Sequence, residues 1–297
     1  MFRLRSWMFV PGNSLKMITK SFGLDLDVAM LDVEDGVVPE LKAEARTLVA
    51  EALAWPKERV NPLRYVRVNA IDTGELQADL DAVVVPGLDG IVLPKTETIE
   101  NVHQVAAMLD DLEEQRGMPS GGVKVVLALE SAKALIAAPQ LATASSRVAG
   151  LCFGAEDYSK DLGLSVVRTG VARDFTYARS AIVVAATAAR IASIDGVWPE
   201  LSDSEGLHGD SVVARDLGFT GKSMIHPGQL AIINQVFSPT ADEIAYAEDL
   251  IADFKLASRE GRGSISFRGQ LVDLPIYERA LRTIAAGTRS KQMEKSK

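Results

Sequence analysis

Cysteine and histidine, the residues that build disulfide frameworks and most zinc sites, are nearly missing from this 297-residue chain, which has one and three of them. Cys152 has no partner in the chain for a disulfide, a pattern that fits a reducing compartment. Its setting, Gly-Leu-Cys-Phe-Gly at 150–154, reads as a packed strand thiol with no adjacent cation to make it reactive. His103 falls mid-helix and His208 in a polar loop, so both read as surface residues, and His226 alone does not make a zinc site. Positive charge is also short. With 32 Lys and Arg against 40 Asp and Glu, the formal charge is −8, and no basic run interleaves with aromatics. Nucleic acid is therefore not an expected partner, whereas a few local cations could still bind an anionic small molecule. No apolar run reaches 18 residues, and Met-Phe-Arg-Leu-Arg-Ser-Trp at the start is not followed by a signal-peptide core. A cytoplasmic protein without membrane association is the expectation.

What the chain does contain is an ordinary globular balance, 47% apolar and 24% charged residues, distributed in a repeating order. Eight short apolar runs, at 7–10, 28–33, 65–69, 90–93, 123–129, 148–153, 193–197 and 221–224, alternate with longer segments of helical period, clearest at 40–54, 97–114 and 173–191. Alternation of this kind implies parallel strands joined by crossover helices. Eight units, with no Gly-rich dinucleotide fingerprint after the first, favour a closed (β/α)₈ TIM barrel over a doubly wound open sheet. The barrel is expected over 1–258. A Gly-rich joint then leads to a C-terminal lid over 259–290, with an apolar segment and a helix near 275–286, and to a frayed polar tail over 291–297.

In such a barrel the carboxyl ends of the strands form the active face. Polar residues end six of the eight runs: Asp32, Glu34 and Asp35; Arg67 and Asn69; Lys95; Glu130; Glu156 and Asp157; Lys222 and His226. Capping of the following helices accounts for some of these. It accounts poorly for Glu130, which closes the apolar run Val-Val-Leu-Ala-Leu, where a carboxylate is costly unless a cation neutralises it. Magnesium, which takes one or two protein carboxylates and keeps other positions for water and substrate, is the natural candidate.

Seven ordered motifs now carry a resemblance across nearly the whole chain. They are Phe-Val-Pro-Gly-Asn (9–13), Leu-Asp-Val-Glu-Asp-Gly-Val (31–37), Val-Arg-Val-Asn (66–69), Val-Leu-Pro-Lys (92–95), Ala-Leu-Glu-Ser (128–131), Phe-Gly-Ala-Glu-Asp-Tyr (153–158) and Gly-Lys-Ser-Met-Ile-His-Pro (221–227). Together they resemble the citrate lyase β-subunit and malyl-CoA lyase family of the HpcH/HpaI aldolase superfamily. The resemblance implies Mg²⁺ held by Glu130 and Asp157, with Gly154 and Ala155 beside the substrate. It implies that Arg67 contacts the acid substrate and the thioester oxygen, and that Glu34 and Asp35 lie near the water around the metal. Asp273, in Gly-Gln-Leu-Val-Asp-Leu-Pro, matches an aspartate on a lid that reaches a neighbouring subunit's site, which implies a homo-oligomer, a trimer. Phe9, Ser14 and Lys20 match contacts to the CoA arm. Ser14 departs from the basic residue expected there, although Lys16 could substitute.

The implied activity is cleavage of a malyl, citramalyl, methylmalyl or citryl thioester, carried on CoA or an acyl-carrier protein, into a 2-oxo acid and an acyl thioester. Arg67 would stabilise the enolate oxygen and Asp273 would carry the proton. Two alternatives remain: a metal-dependent pyruvate aldolase acting on a free hydroxy-oxo acid, and a non-catalytic citrate-lyase-like subunit. The aldolase would need an early histidine, and none precedes His103.

Overall fold

A computed structural model describes residues 4–57, 62–164 and 175–294, with side chains to residue 287. Its first compact unit spans Met1–Asn234. Eight parallel strands, β1 (Ser6–Pro11), β2 (Val28–Asp32), β3 (Leu63–Arg67), β4 (Gly90–Leu93), β5 (Lys124–Leu129), β6 (Val148–Phe153), β7 (Ala192–Asp195) and β8 (Gly221–Met224), close on themselves in sequence order. Helices α1 (Leu15–Phe22), α2 (Lys42–Leu53), α3 (Leu76–Val83), α4 (Ile99–Gln115), α5 (Ala132–Leu141), α6 (Ala155–Asp161), α7 (Thr176–Ala189), α8 (Ser204–Leu217) and α9 (Leu230–Val236) follow the strands. The expected (β/α)₈ barrel is the fold. Strand three starts two residues earlier than the apolar pattern predicts, so Asn69 lies beyond its end, and β7 ends at Asp195. Residues 173 and 174, the predicted start of a helix, lie outside the described residues. His208 belongs to α8, not to a loop, because Asp203 caps a helix there through the Gly206 amide at 2.8 Å.

Period-two alternation sorts the strand residues into two buried faces. Trp7, Val28, Met30, Tyr65, Val92, Val126, Ala128, Cys152, Ala192 and Ile194 fill the interior, with Trp7 edge-on to Tyr65 at 5.0 Å. Ala29, Leu31, Val66, Ile91, Val125, Leu127 and Leu151, which alternate with them, are also buried. Burial of both faces explains why the strands read as continuous apolar runs. The same parity continued to the strand ends carries Asp32 after Met30, Arg67 after Tyr65, Glu130 after Ala128 and Gly154 after Cys152 onto the interior side, at the carboxyl mouth. The described helices include none long and apolar enough to cross a membrane.

The second compact unit spans Gln235–Lys297. Helix α10 (Ala241–Arg259) starts at a Thr240–Glu243 capping box and packs against α11 (Leu274–Glu294). Between them the segment expected to be merely apolar forms an antiparallel hairpin, β9 (Ile265–Phe267) and β10 (Gln270–Val272). Its two-residue turn, Arg268 and Gly269, has φ of 48° and 81°, the left-handed pair that fits the twist of a tight hairpin. Leu250, Phe254, Ile265, Phe267, Val272 and Ala280 share its core, and Phe254 stacks on Tyr277 at 4.7 Å. The boundary thus falls at 234 and not at 258, because α10 buries its apolar face with the C-terminal segment. The expected tail from 291 is helical through Glu294; residues 295–297 lie outside the described residues.

Candidate active site at the mouth of the barrel

Asp32, the last residue of β2, is paired in register with Arg67, the last of β3. That adjacency sets a two-pronged ion pair: Arg67 Nε donates to Asp32 Oδ1 at 2.9 Å and Nη2 to Oδ2 at 2.6 Å. Asp32 also accepts the amides of Glu34 and Gly36, both at 3.0 Å, so one carboxylate closes the turn after β2 and orients the guanidinium. The remaining prong of Arg67, Nη1, lies 3.0 Å from Glu34 Oε2. Beneath the guanidinium sits the Phe9 ring, 4.7 Å from its carbon. Burial alone would lower the Arg67 pKa; the hydrogen bonds and charge of Asp32, with Glu34 and Glu130, outweigh it and raise the pKa. Arg67 is a fixed, permanently charged fork.

A layer behind this arrangement holds the loop. Lys42 Nζ donates to the carbonyls of Val33 and Glu34, both at 3.0 Å, and to the Asn69 side-chain oxygen. Asn69 in turn donates to Val33 O and to Asp79, and Arg46 ties Asp79 to Glu75. The motif spacing identifies Asn69 as a strand-end polar residue; its partners on α2 and α3 follow only from the packing.

Glu130 is buried at the end of β5, and Ser131 after it caps α5 through the Ala134 amide at 3.1 Å. Its Oε2 accepts the Lys95 amide at 2.8 Å, the only hydrogen bond to Glu130 among the described residues. Burial, the largest influence, pushes this carboxyl up to about 7. Glu34 and Asp157 push the same way, and the Lys95 amide and Arg67 offset them only in part. A Cβ on Gly154 would fall 2.2 Å from Glu130 Cγ and 2.5 Å from Oε1, so the missing side chain is the space that the carboxylate occupies. Asp157 lies in the first turn of α6, half-buried, with no ion pair among the described residues, and Ala155 is the first residue of that helix. Glu34 is buried between Arg67 and Lys95, whose Nζ is 2.8 Å from Glu34 Oε1 and 3.2 Å from the exposed Asp35.

Charge is therefore unevenly matched. Asp32 and Glu34 have cationic partners; among the described residues Glu130 and Asp157 have no ion pair, and Asp157 is near enough for its charge to raise the Glu130 pKa, a pairing of carboxylates that suits a divalent cation. No group of three or more His, Cys, Asp and Glu among the described residues could hold a metal alone. The donor set is that of a hard ion that completes its shell with water and substrate oxygens.

The other expected residues fall elsewhere. Ser14 caps α1, accepting the Met17 amide at 3.4 Å, and Lys20 is exposed in the last turn of that helix. Asp273 is exposed between β10 and α11 in the second unit. His103 is exposed on α4, and His226 accepts the Gly228 amide at 3.0 Å. Lys222, read as a strand-end residue of the active face, is the second residue of β8 and is buried against Asp195 and Asp210 on the outer side of the barrel wall. Opposite the interior Ile194, the parity of β7 and β8 turns Asp195 and Lys222 outward, where Arg179 of α7 and Asp210 of α8 complete a neutral quartet. Nothing in one strand's sequence signals that partnership.

A family model described as HpcH/HpaI aldolase/citrate lyase matches residues 5–227. The citrate lyase subunit beta of Leuconostoc mesenteroides subsp. cremoris is 39% identical over 280 residues, covering 94% of this chain and 92% of that protein. The mitochondrial citramalyl-CoA lyase of Mus musculus is 32% identical over 300 residues, 97% of this chain and 87% of that protein. Among solved structures, the protein CitE of Mycobacterium tuberculosis in complex with magnesium, acetoacetate and coenzyme A superposes with a TM-score of 0.78 at 28% identity, covering 97% of this chain and all of that one, 100%.

Proposed function

Because the chain belongs to the HpcH/HpaI aldolase/citrate lyase family, we propose that it is a Mg²⁺-dependent carbon–carbon lyase acting on a 3-hydroxy-acyl thioester of the malyl, citramalyl or citryl type. The observation that carries this reading is the uneven charge of the mouth: an unpaired, partly buried Glu130–Asp157 side next to a clamped Arg67 fork. Glu130 and Asp157 would hold the cation, with the Gly154–Ala155 turn against the substrate. When bound, Mg²⁺ supplies a Lewis acid for the carboxylate and hydroxyl oxygens of the substrate.

The protein's own groups do the rest. The hydroxyl proton leaves the carbinol oxygen, the bond between the carbinol carbon and the thioester α-carbon breaks, and its electron pair moves onto the thioester carbonyl. A 2-oxo acid and a thioester enolate result. Arg67, held by Asp32 and backed by Phe9, presents a fixed positive charge to the enolate oxygen, so no reorganisation is needed as charge develops. Asp273, matched by resemblance, takes the hydroxyl proton or returns one to the enolate carbon. Glu34 and Asp35 would lie beyond the ligands and orient the water around the cation. By resemblance, Lys20, with Lys16 and the Ser14 turn at the start of α1, would meet the CoA or acyl-carrier arm; the coenzyme A in the M. tuberculosis complex supports CoA as the carrier of the substrate.

The test is release of 2-oxo acid from malyl-, citramalyl- and citryl-CoA, with Mg²⁺ and then with excess chelator. Chelator-sensitive release of glyoxylate, pyruvate or oxaloacetate is the expected result and names the substrate. Absence of release from all three, from a chain that binds Mg²⁺, would turn the assignment to an acyl-carrier thioester, a free hydroxy-oxo acid or a non-catalytic subunit.

A further inference from the structure

Lys95 follows β4 with φ of 50°, a left-handed backbone that side-chain-bearing residues rarely adopt. The turn is braced on its far side, where the Thr96 hydroxyl donates to Leu93 O at 3.1 Å. This conformation sends the two polar ends of one residue to different carboxylates. The amide donates to Glu130 Oε2 at 2.8 Å, while the ammonium reaches Glu34 Oε1 at 2.8 Å and Asp35 Oδ2 at 3.2 Å.

The consequence is a division of the acidic mouth. Five carboxylates gather there: Asp32, Glu34, Asp35, Glu130 and Asp157. Arg67 takes Asp32 and one side of Glu34, and Lys95 takes the other side of Glu34 together with Asp35. Without the ammonium, Asp35 would have no cation among the described residues, and the whole cluster would gain one negative charge within reach of the Glu130–Asp157 side. A divalent ion would feel that charge twice as strongly as a monovalent one.

We infer that Lys95 is a positioning residue that partitions this cluster: its amide fixes Glu130, and its ammonium withholds Glu34 and Asp35 from the cation, leaving Glu130 and Asp157 as the binding side. The inference rests on the Mg²⁺ site proposed above. It assigns Lys95 to restraint of cation affinity, which a residue serving only to stabilise the fold would not provide.

Calorimetric Mg²⁺ titration of the full-length chain at pH 8 tests it, with circular dichroism to follow the fold. Lys95→Met keeps the left-handed backbone demand and removes the charge. It should bind Mg²⁺ at least about tenfold more tightly than the parent, or take a second ion per chain. Lys95→Arg, which keeps the charge, should stay within about threefold of the parent. Should Lys95→Met lose the fold, Lys95→Gly decides, since glycine accepts this φ at no steric cost and keeps the amide. Unchanged or weaker Mg²⁺ binding in the folded neutral variant overturns the inference while leaving the cation site standing. A parent chain that binds no Mg²⁺ removes the proposed cation site, and the partition falls with it.

Discussion

At the scale of single residues, the mouth of the barrel is governed by what has no side chain as much as by what has one. Glu130 lies where a Gly154 Cβ would be, and this close approach is the reason a glycine directly follows β6. Gly154→Ala places a methyl group 2.2 Å from Glu130 Cγ, so the carboxylate must leave its position. Mg²⁺ affinity is expected to fall by about 10- to 100-fold, read by calorimetry, with the far-ultraviolet dichroism unchanged. Mg²⁺ binding that survives the substitution intact would show that Glu130 is not a ligand. Arg67 gains its rigidity from an equally local source, the register that sets it opposite Asp32, and a lysine there would keep the charge but not the fork.

At the scale of elements, the seventh and eighth strands are tied to their helices by a closed set of buried ions. Arg179 donates to both oxygens of Asp195, at 3.0 and 2.8 Å, and Lys222 bridges Asp195 and Asp210. All four side chains are buried, and the charges cancel. Removing one member strands a buried charge, so Arg179→Met should cost roughly 3–5 kcal/mol in urea unfolding at pH 7. Its pH dependence has a defined sign. Burial by itself raises the Asp210 pKa, but Lys222 and Arg179 overcome it and hold the carboxyl below its ordinary value. A carboxylate depressed in the fold contributes stability that is fully present above its unfolded pKa of about 4, and loses it as pH falls through the folded value. The deficit of the variant should therefore narrow below about pH 4. A deficit constant down to pH 2, or absent at pH 7, would mean that packing and not charge holds these elements together.

At the scale of the whole molecule, two compact units divide the work proposed for it: the barrel holds Arg67, Glu130 and Asp157, and the C-terminal unit holds Asp273. We propose, from the resemblance, that Asp273 would serve a neighbouring copy in a trimer. Co-expression of Arg67→Ala with Asp273→Ala tests this directly. Each variant alone should be inactive, Asp273→Ala should still bind Mg²⁺, and mixed assemblies should recover part of the thioester cleavage. Failure of the mixture to recover, with both variants folded and assembled, would confine each site to a single chain. The size of the assembly follows from light scattering, with three chains as the expected mass.

Much of this was legible in the residues themselves. Eight apolar runs and their turn residues determined the barrel, since short buried strands between longer helical periods have few other ways to bury both faces. Glu130 announced itself as a carboxylate ending an apolar run, and period two placed it inside. The sequence could not say which neighbours meet. Asp32 clamps Arg67 because β2 and β3 are adjacent in one register; Lys222 faces a helix and not the mouth because of the stagger of β8 against β7 and β1. Lys95 reaches Glu130 with its amide and Glu34 and Asp35 with its ammonium because its backbone turns left-handed at one position. Strand identity is a local property of hydrophobic period and turn chemistry, which a sequence carries by itself. Partnership between charges depends on register, barrel stagger and a single φ angle, and these are decided only when the sheet closes.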